Sequence, residues 1–136
     1  MLLIEHFVAP SPVHGLGVFS SGFVPTNTKV WIFHPAIDRE IPASDLHELP
    51  AHVAALIERH AEYLPQRNIF RLSADGDYYL NHSDNPNLEN RDDDVFSCRD
   101  IRPGEELFCD YNTIKVLAFN PNTALVERKM SGVADR

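Results

Sequence analysis

The chain has 136 residues, 43% hydrophobic and 24% charged, with 12 basic and 20 acidic side chains and a formal net charge of −8. That length fits one domain with one ordinary core, and that composition excludes wholesale disorder. The charge argues against nonspecific nucleic-acid binding, where Lys and Arg must neutralise phosphates, and suits a basic partner such as a lysine-bearing peptide. The apolar runs MLLI at 1–4 and VWIF at 30–33 fall far short of a membrane span. The first residues lack the basic region and small-residue cleavage site of a signal peptide, so a cytoplasmic protein is expected, or a nuclear one if the source is eukaryotic. Cys98 and Cys109 show no metal-ligand spacing and are expected as free thiols.

In chain order, apolar or β-branched runs of strand length occur at 2–8, 17–20, 29–33, 68–72, 77–81, 94–99 and 106–111. Turn formers separate them at Pro10 to Pro12, Gly15 and Gly17, Pro25, Asp75-Gly76, Asn85 to Asn87 and Pro103-Gly104. FRLSADGDYYL at 70–80 reads as a hairpin turning at Asp75-Gly76. The one helical period runs through Val53, Leu56, Ile57, His60 and Leu64, with Pro50 in its first turn and Pro65 closing it. Asp45 and Glu48 are expected to cap a short turn before it, giving a helical insert over about 44–64. His47, His52 and His60 fall in this insert without chelating spacing, and no metal site is expected. FVPTNTKVWIF (23–33) and IRPGEELFCDY (101–111) both follow a proline turn with a strand, which suggests a sheet of similar hairpins. The expectation is a mostly β single domain over 1–126 with a partly disordered tail at 127–136.

Three segments carry candidate chemistry. SPVHGLGVFSS (11–21) has Gly15 and Gly17 flanking Leu16, so backbone there can approach another group without an intervening Cβ. It lacks the third glycine and following helix of a dinucleotide site. LNHSDNPN (80–87) has too much amide and too little apolar surface for an ordinary strand. It is either a polar turn or a set of side chains aimed at a ligand. In DIRPGEELFCDY (100–111), a period of two places Leu107, Cys109 and Tyr111 on one face, with Phe108 and Asp110 on the other.

In this order and at these separations the segments resemble the SET-domain family of protein lysine methyltransferases. HGLGVFS is similar to that family's N-terminal G-x-G segment, YLNHSDNPN to its R-F-x-N-H-S-x-x-P-N signature and DIRPGEELFCDY to its G-E-E-L-x-x-D-Y signature. The resemblance spans Val13 to Tyr111. It implies a SET (β-clip-like) fold of short strands with a C-terminal knot-like crossing. The implied reaction is methyl transfer from S-adenosylmethionine to a lysine side-chain amine of a protein substrate. Tyr111 matches the catalytic tyrosine, and the cofactor contacts carry over to Gly15, Leu16, Gly17, Asn81, His82 and Tyr111.

The sequence departs from the family pattern in two places. Cys109 stands where an aromatic residue is usual, and Tyr78 or Tyr79 is expected to fill that gap in the substrate channel. The cysteine clusters that bind zinc in many members are missing, and Asp84 replaces the cysteine that usually follows N-H-S, so no zinc is expected. Residues 112–126, with Phe119, or the second subunit of a homodimer are expected to form the lid. The acidic run ENRDDD (89–94) either attracts a basic substrate or forms a solvated hairpin end. The alternative to an enzyme is an inactive SET-fold module that binds cofactor or lysine-rich partners. Neither reading involves a membrane or direct nucleic-acid contact.

Overall fold

Prolines and turn formers keep every element short, so the architecture is a set of small sheets wrapped around a shared core. The computed structural model describes residues 1–111. The first sheet pairs β1 (His6–Pro10) with β2 (Leu16–Ser20). β3 (Lys29–Trp31) is followed by β4 (Arg39–Pro42) and a 3-10 turn at Ala43–Glu48. The helix α1 (Ala51–His60) then leads into β5 (Glu62–Leu64) and β6 (Ile69–Leu72). A second 3-10 turn at Gly76–Tyr79 precedes β7 (Asn81–His82). The hairpin β8 (Leu88–Arg91) and β9 (Asp94–Ser97) follows, and β10 (Phe108–Cys109) is last.

The strand orders are β1-β2, β3-β9-β8, β4-β6-β5 and β10-β7. All pairs are antiparallel except β7–β10, where Asn81 faces Phe108 and His82 faces Cys109 in parallel register. A parallel pair needs a long crossover, and here residues 83–107 supply it through the β8–β9 hairpin. The main core gathers Leu2, Val18, Val24, Val30, Trp31, Leu88, Ile101 and Leu107. A second cluster of Ile57, Ala61 and Phe70 seats α1 on the β4-β6-β5 sheet. None of the helices among the described residues is long and apolar enough to cross a membrane.

Several expectations change. FRLSADGDYYL is not a hairpin: β6 ends at Leu72, and residues 76–79 form a 3-10 turn instead of a strand over 77–81. The Asp75 carboxylate accepts from the Asp77 N–H and so nucleates that turn. The helix ends at His60, and residues 62–64 become a strand because β6 offers them a pairing edge. Leu56 is 47% exposed, outside the buried face that the period assigned to it. No side chain caps the 3-10 turn at 43–48, so Asp45 and Glu48 do not play that part. The proline-turn segments at 23–33 and 101–111 are not matching hairpins; they meet each other, with Val24 and Ile101 exchanging two backbone hydrogen bonds of 2.8 Å. Cys98 and Cys109 are free thiols, as expected. The lid at 112–126, the tail at 127–136 and the full C-terminal crossing lie outside the described residues.

Leu107 is fully buried in the main core, and its N–H donates to the Val18 carbonyl at 2.7 Å. Leu107→Ala is expected to lower unfolding free energy by about 3 kcal/mol in urea titrations, the usual cost of a leucine-sized cavity.

Candidate active site

Glu106 is the hub of the site. It is only 6% exposed, and a buried carboxylate is costly unless donors meet it. Asn81 Nδ2 supplies one at 2.9 Å and Ser11 Oγ another at 2.9 Å. The same Asn81 amide also donates to the His14 and Leu16 carbonyls, each at 3.0 Å, and so holds the Gly15–Leu16–Gly17 segment beside β7. A Cβ on Gly17 would lie 2.0 Å from Glu106 Oε1, which is why that position must be glycine. Gly15 has a φ of 46°, in the left-handed region that glycine enters freely.

Asn87 and His82 fasten the opposite side. Asn87, fully buried, donates to the Glu106 carbonyl at 2.8 Å and accepts from the Phe108 N–H at 2.8 Å, locking the entry to β10. His82 Nδ1 accepts from the Tyr111 N–H at 2.9 Å, which places the ring proton on Nε2, where it donates to Asp84 at 2.9 Å. Asp110 lies 3.6 Å from Nδ1, so His82, Asp84 and Asp110 converge. Both ring nitrogens of His82 are engaged in these hydrogen bonds.

Tyr111 is 6% exposed and donates its hydroxyl to the Leu80 carbonyl at 2.5 Å. It closes one side of a cavity of about 130 Å³ whose walls include Cys109, Tyr78, Leu80, Arg71 and Asp77. Tyr78 stacks on His60 with ring centroids 4.3 Å apart. Glu62, Asp92 and Asp93 add acidic groups to the lining. Burial pushes the Asp77 carboxyl up to about 8, reinforced by its hydrogen bond to Asp75 and by that neighbour's charge. Burial opposes ionisation of Asp75 too, yet Asp75 is held below its ordinary value by the Asp77 side chain and by the Leu2 N–H, which donates to it at 2.7 Å.

The structure therefore brings Gly15, Leu16, Gly17, Asn81, His82 and Tyr111 into one region through direct hydrogen bonds. Cys109 and Tyr78 line the cavity, whereas Tyr79 packs against the main core. The acidic run at 89–94 is the end of the β8–β9 hairpin, with Asp92 at a φ of 56°. Its two central aspartates face the cavity, so it is more than a solvated turn. Glu106, Asn87, Asp77, Trp31 and Arg71 were not singled out from sequence. The second glutamate of G-E-E-L and the final asparagine of the N-H-S signature were visible signals for the first two.

Short strands arranged in small sheets, a G-x-G segment pinned by an asparagine and a buried tyrosine ending the last strand define a SET-type domain. The family model for the SET domain matches residues 15–112, and the chain belongs to that family. No curated protein matches the chain. A Plasmodium falciparum protein described as a candidate histone methyltransferase is 22% identical, with a TM-score of 0.57 over 81% of this chain and 95% of that one. A humanized mutant of the Chaetomium thermophilum Polycomb Repressive Complex 2 bound to an inhibitor is 19% identical, with a TM-score of 0.60 over 91% of this chain. An apo form of ctPRC2 with substitutions in Ezh2 is 18% identical, with a TM-score of 0.63 over 93% of this chain. The match spans 16% of each of the latter two chains. At these identities the likeness is one of fold.

Two outcomes are expected from this geometry. Gly17→Ala forces its methyl into the Glu106 carboxylate and should cost about 1–3 kcal/mol in chemical denaturation. Gly22→Ala, with nothing within 4 Å of the added methyl, should leave stability nearly unchanged. The second concerns pH. An unfolded aspartate ionises near 3.8, but folded Asp77 does so near 8, so the unfolded state binds fewer protons between those values. Asp77 therefore makes stability fall as pH rises from about 4 to 8. The Asp75 contribution has the opposite sign and acts below 3.8, outside this window. Asp77→Asn should flatten the decline in Tm across it, measured by thermal melts at pH steps.

Proposed function

We propose that this chain is an S-adenosylmethionine-dependent methyltransferase acting on a lysine side-chain amine of a protein substrate. The observation that carries the reading is the setting of Tyr111, a buried phenol at the cavity wall whose hydroxyl is held by the Leu80 carbonyl next to Asn81. The likeness to proteins described as a histone methyltransferase and as part of a Polycomb complex supports a protein substrate. Gly15, Leu16, Gly17, Asn81 and His82 would hold the cofactor, which supplies an electrophilic methyl group when bound. Asn81 Oδ1 fits that part: it is buried and has no hydrogen-bond partner among the described residues, so an acceptor is free for a ligand.

The protein's own share of the chemistry is to deliver a neutral amine. A lysine with the ordinary pKa near 10.4 is neutral only about once in 2,500 at pH 7, a cost of roughly 4.6 kcal/mol. The apolar wall formed by Leu2, Leu80, Leu88 and Val95 disfavours the ammonium by desolvation. An ionised carboxylate deep in the channel would undo that gain by stabilising the cation. Asp77, with its carboxyl pushed up to about 8, is mostly uncharged at pH 7 and does not oppose deprotonation. Glu62, Asp92 and Asp93 draw the basic side chain in. Because the Tyr111 proton is committed to Leu80, its oxygen keeps lone pairs to accept from the amine and orient its lone pair. Cys109 is smaller than an aromatic residue and leaves room for an amine that already bears methyl groups.

The test is transfer of a labelled methyl group to cell protein and to lysine-rich peptides by wild type and Tyr111→Phe. Label on lysine that falls at least ten-fold in the variant, about 1.4 kcal/mol of barrier, is the expected result. No transfer by folded wild-type protein would favour a SET-fold binding module instead.

A further inference from the structure

Three polar atoms lining the cavity find no hydrogen-bond partner among the described residues: Trp31 Nε1, Arg71 Nε and Asp77 Oδ1. Trp31 is 6% exposed and Arg71 5%, so the two N–H groups are well inside the protein. Proteins satisfy nearly all such buried groups, and three that remain open around one cavity mark a place for a ligand's polar atoms. None of the three is used by the amine-delivery chemistry at Tyr111.

The charge of the surroundings selects the ligand. The Arg71 guanidinium lies over the Phe33 ring at 5.1 Å and near the Trp31 ring at 5.7 Å, and its Nη2 is bound to Glu40 at 3.2 Å. Its positive charge is thus offset, and what it still offers the cavity is a neutral-type N–H donor. Asp77 offers an acceptor. An anion there would face Glu62, Asp92 and Asp93, and a cation would lie against Arg71. A neutral group that both accepts and donates meets neither penalty. A carboxamide or a peptide unit is such a group, with a carbonyl for the two N–H donors and an N–H for the carboxyl oxygen.

We infer that the cavity carries, beside the amine position at Tyr111, a subsite for a neutral amide group of the substrate, with Trp31 Nε1 and Arg71 Nε as donors and Asp77 Oδ1 as acceptor. The inference rests on the methyltransferase reading for calling that ligand a substrate. Its consequence is specificity: the segment beside the target lysine is read through an amide, while the acidic lining draws in the lysine itself. The uncharged state of Asp77 at pH 7 agrees with this, since the subsite then has no free charge.

Trp31 is the single tryptophan of the chain, so its indole N–H gives one resolved signal in a nitrogen-correlated NMR spectrum. The full chain is titrated with acetamide, acetate and butylammonium as separate probes. Acetamide is expected to move the indole signal saturably, and acetate and butylammonium to bind about five-fold more weakly or not at all at that signal, as one unmet hydrogen bond implies. Trp31→Phe keeps the ring and removes the donor; acetamide affinity, read from the Tyr78 and Leu80 amides, should fall about five-fold. No saturable movement with acetamide, equal affinity for a charged probe, or unchanged acetamide affinity in a folded Trp31→Phe overturns the inference. The comparison of three probes on unmutated protein decides it if the variant does not fold. Methyl transfer to peptides is assayed separately. Acetamide binding without transfer keeps the subsite and removes the reaction, and transfer without acetamide binding does the reverse.

Discussion

The Glu106 carboxylate accepts from Asn81 and from Ser11, and it fills the space that a side chain at residue 17 would need. Its charge is tolerable in the interior only when both donors are in place, and each donor belongs to a segment distant in sequence. The N-terminal hairpin, the β7 strand and the approach to β10 therefore assemble around it together or not at all. Asn87 repeats the logic through backbone atoms, since it spans the Glu106 carbonyl and the Phe108 N–H. Neither asparagine touches the cavity, yet both set where Tyr111 sits. The amide-rich segment is thus a bracket for two other segments, and its polarity is spent on backbone groups that no strand partner serves.

The cavity joins this bracket to an electrostatic arrangement with two zones. Acidic groups from β5 and from the β8–β9 turn attract a basic side chain, while the paired aspartates of the 3-10 turn share the burden of burial unequally. Asp75 keeps its charge because the Leu2 N–H and the N-terminal charge stabilise it; Asp77 gives its charge up. An acidic chain can in this way deliver a lysine to a place where the lysine is not held as a cation. The same division makes the wall near Asp77 suited to neutral polar groups.

The sequence made the site legible because its three motifs are short and their order is distinctive, and it made the mostly β character legible through turn residues. Finer features were hidden for physical reasons. β8 reads as polar because only Leu88 of its four residues is buried. β4 and β5 exist because β6 lies between them, a pairing that no local pattern announces. The Asp75-Gly76 pair signals a hairpin by composition, but the Asp75 side chain satisfies the backbone of the following turn and redirects the chain. Glu106 looked like one more surface acid, since most glutamates are solvated, and only its two distant donors reveal otherwise.

The pairing of Val18 with Leu107 has a consequence during synthesis. The β2 face of Val18, together with Val24 and Val30, is completed by Ile101 and Leu107, which emerge from the ribosome some tens of residues later. At about 5–20 residues per second, the first half of the core waits several seconds with its apolar side uncovered. During that wait the nascent chain presents valines without their cover, which makes it a natural client for a holding chaperone. A slow codon run ahead of residue 101 would lengthen the exposure, and a fast one would shorten it, without changing a single contact of the finished domain.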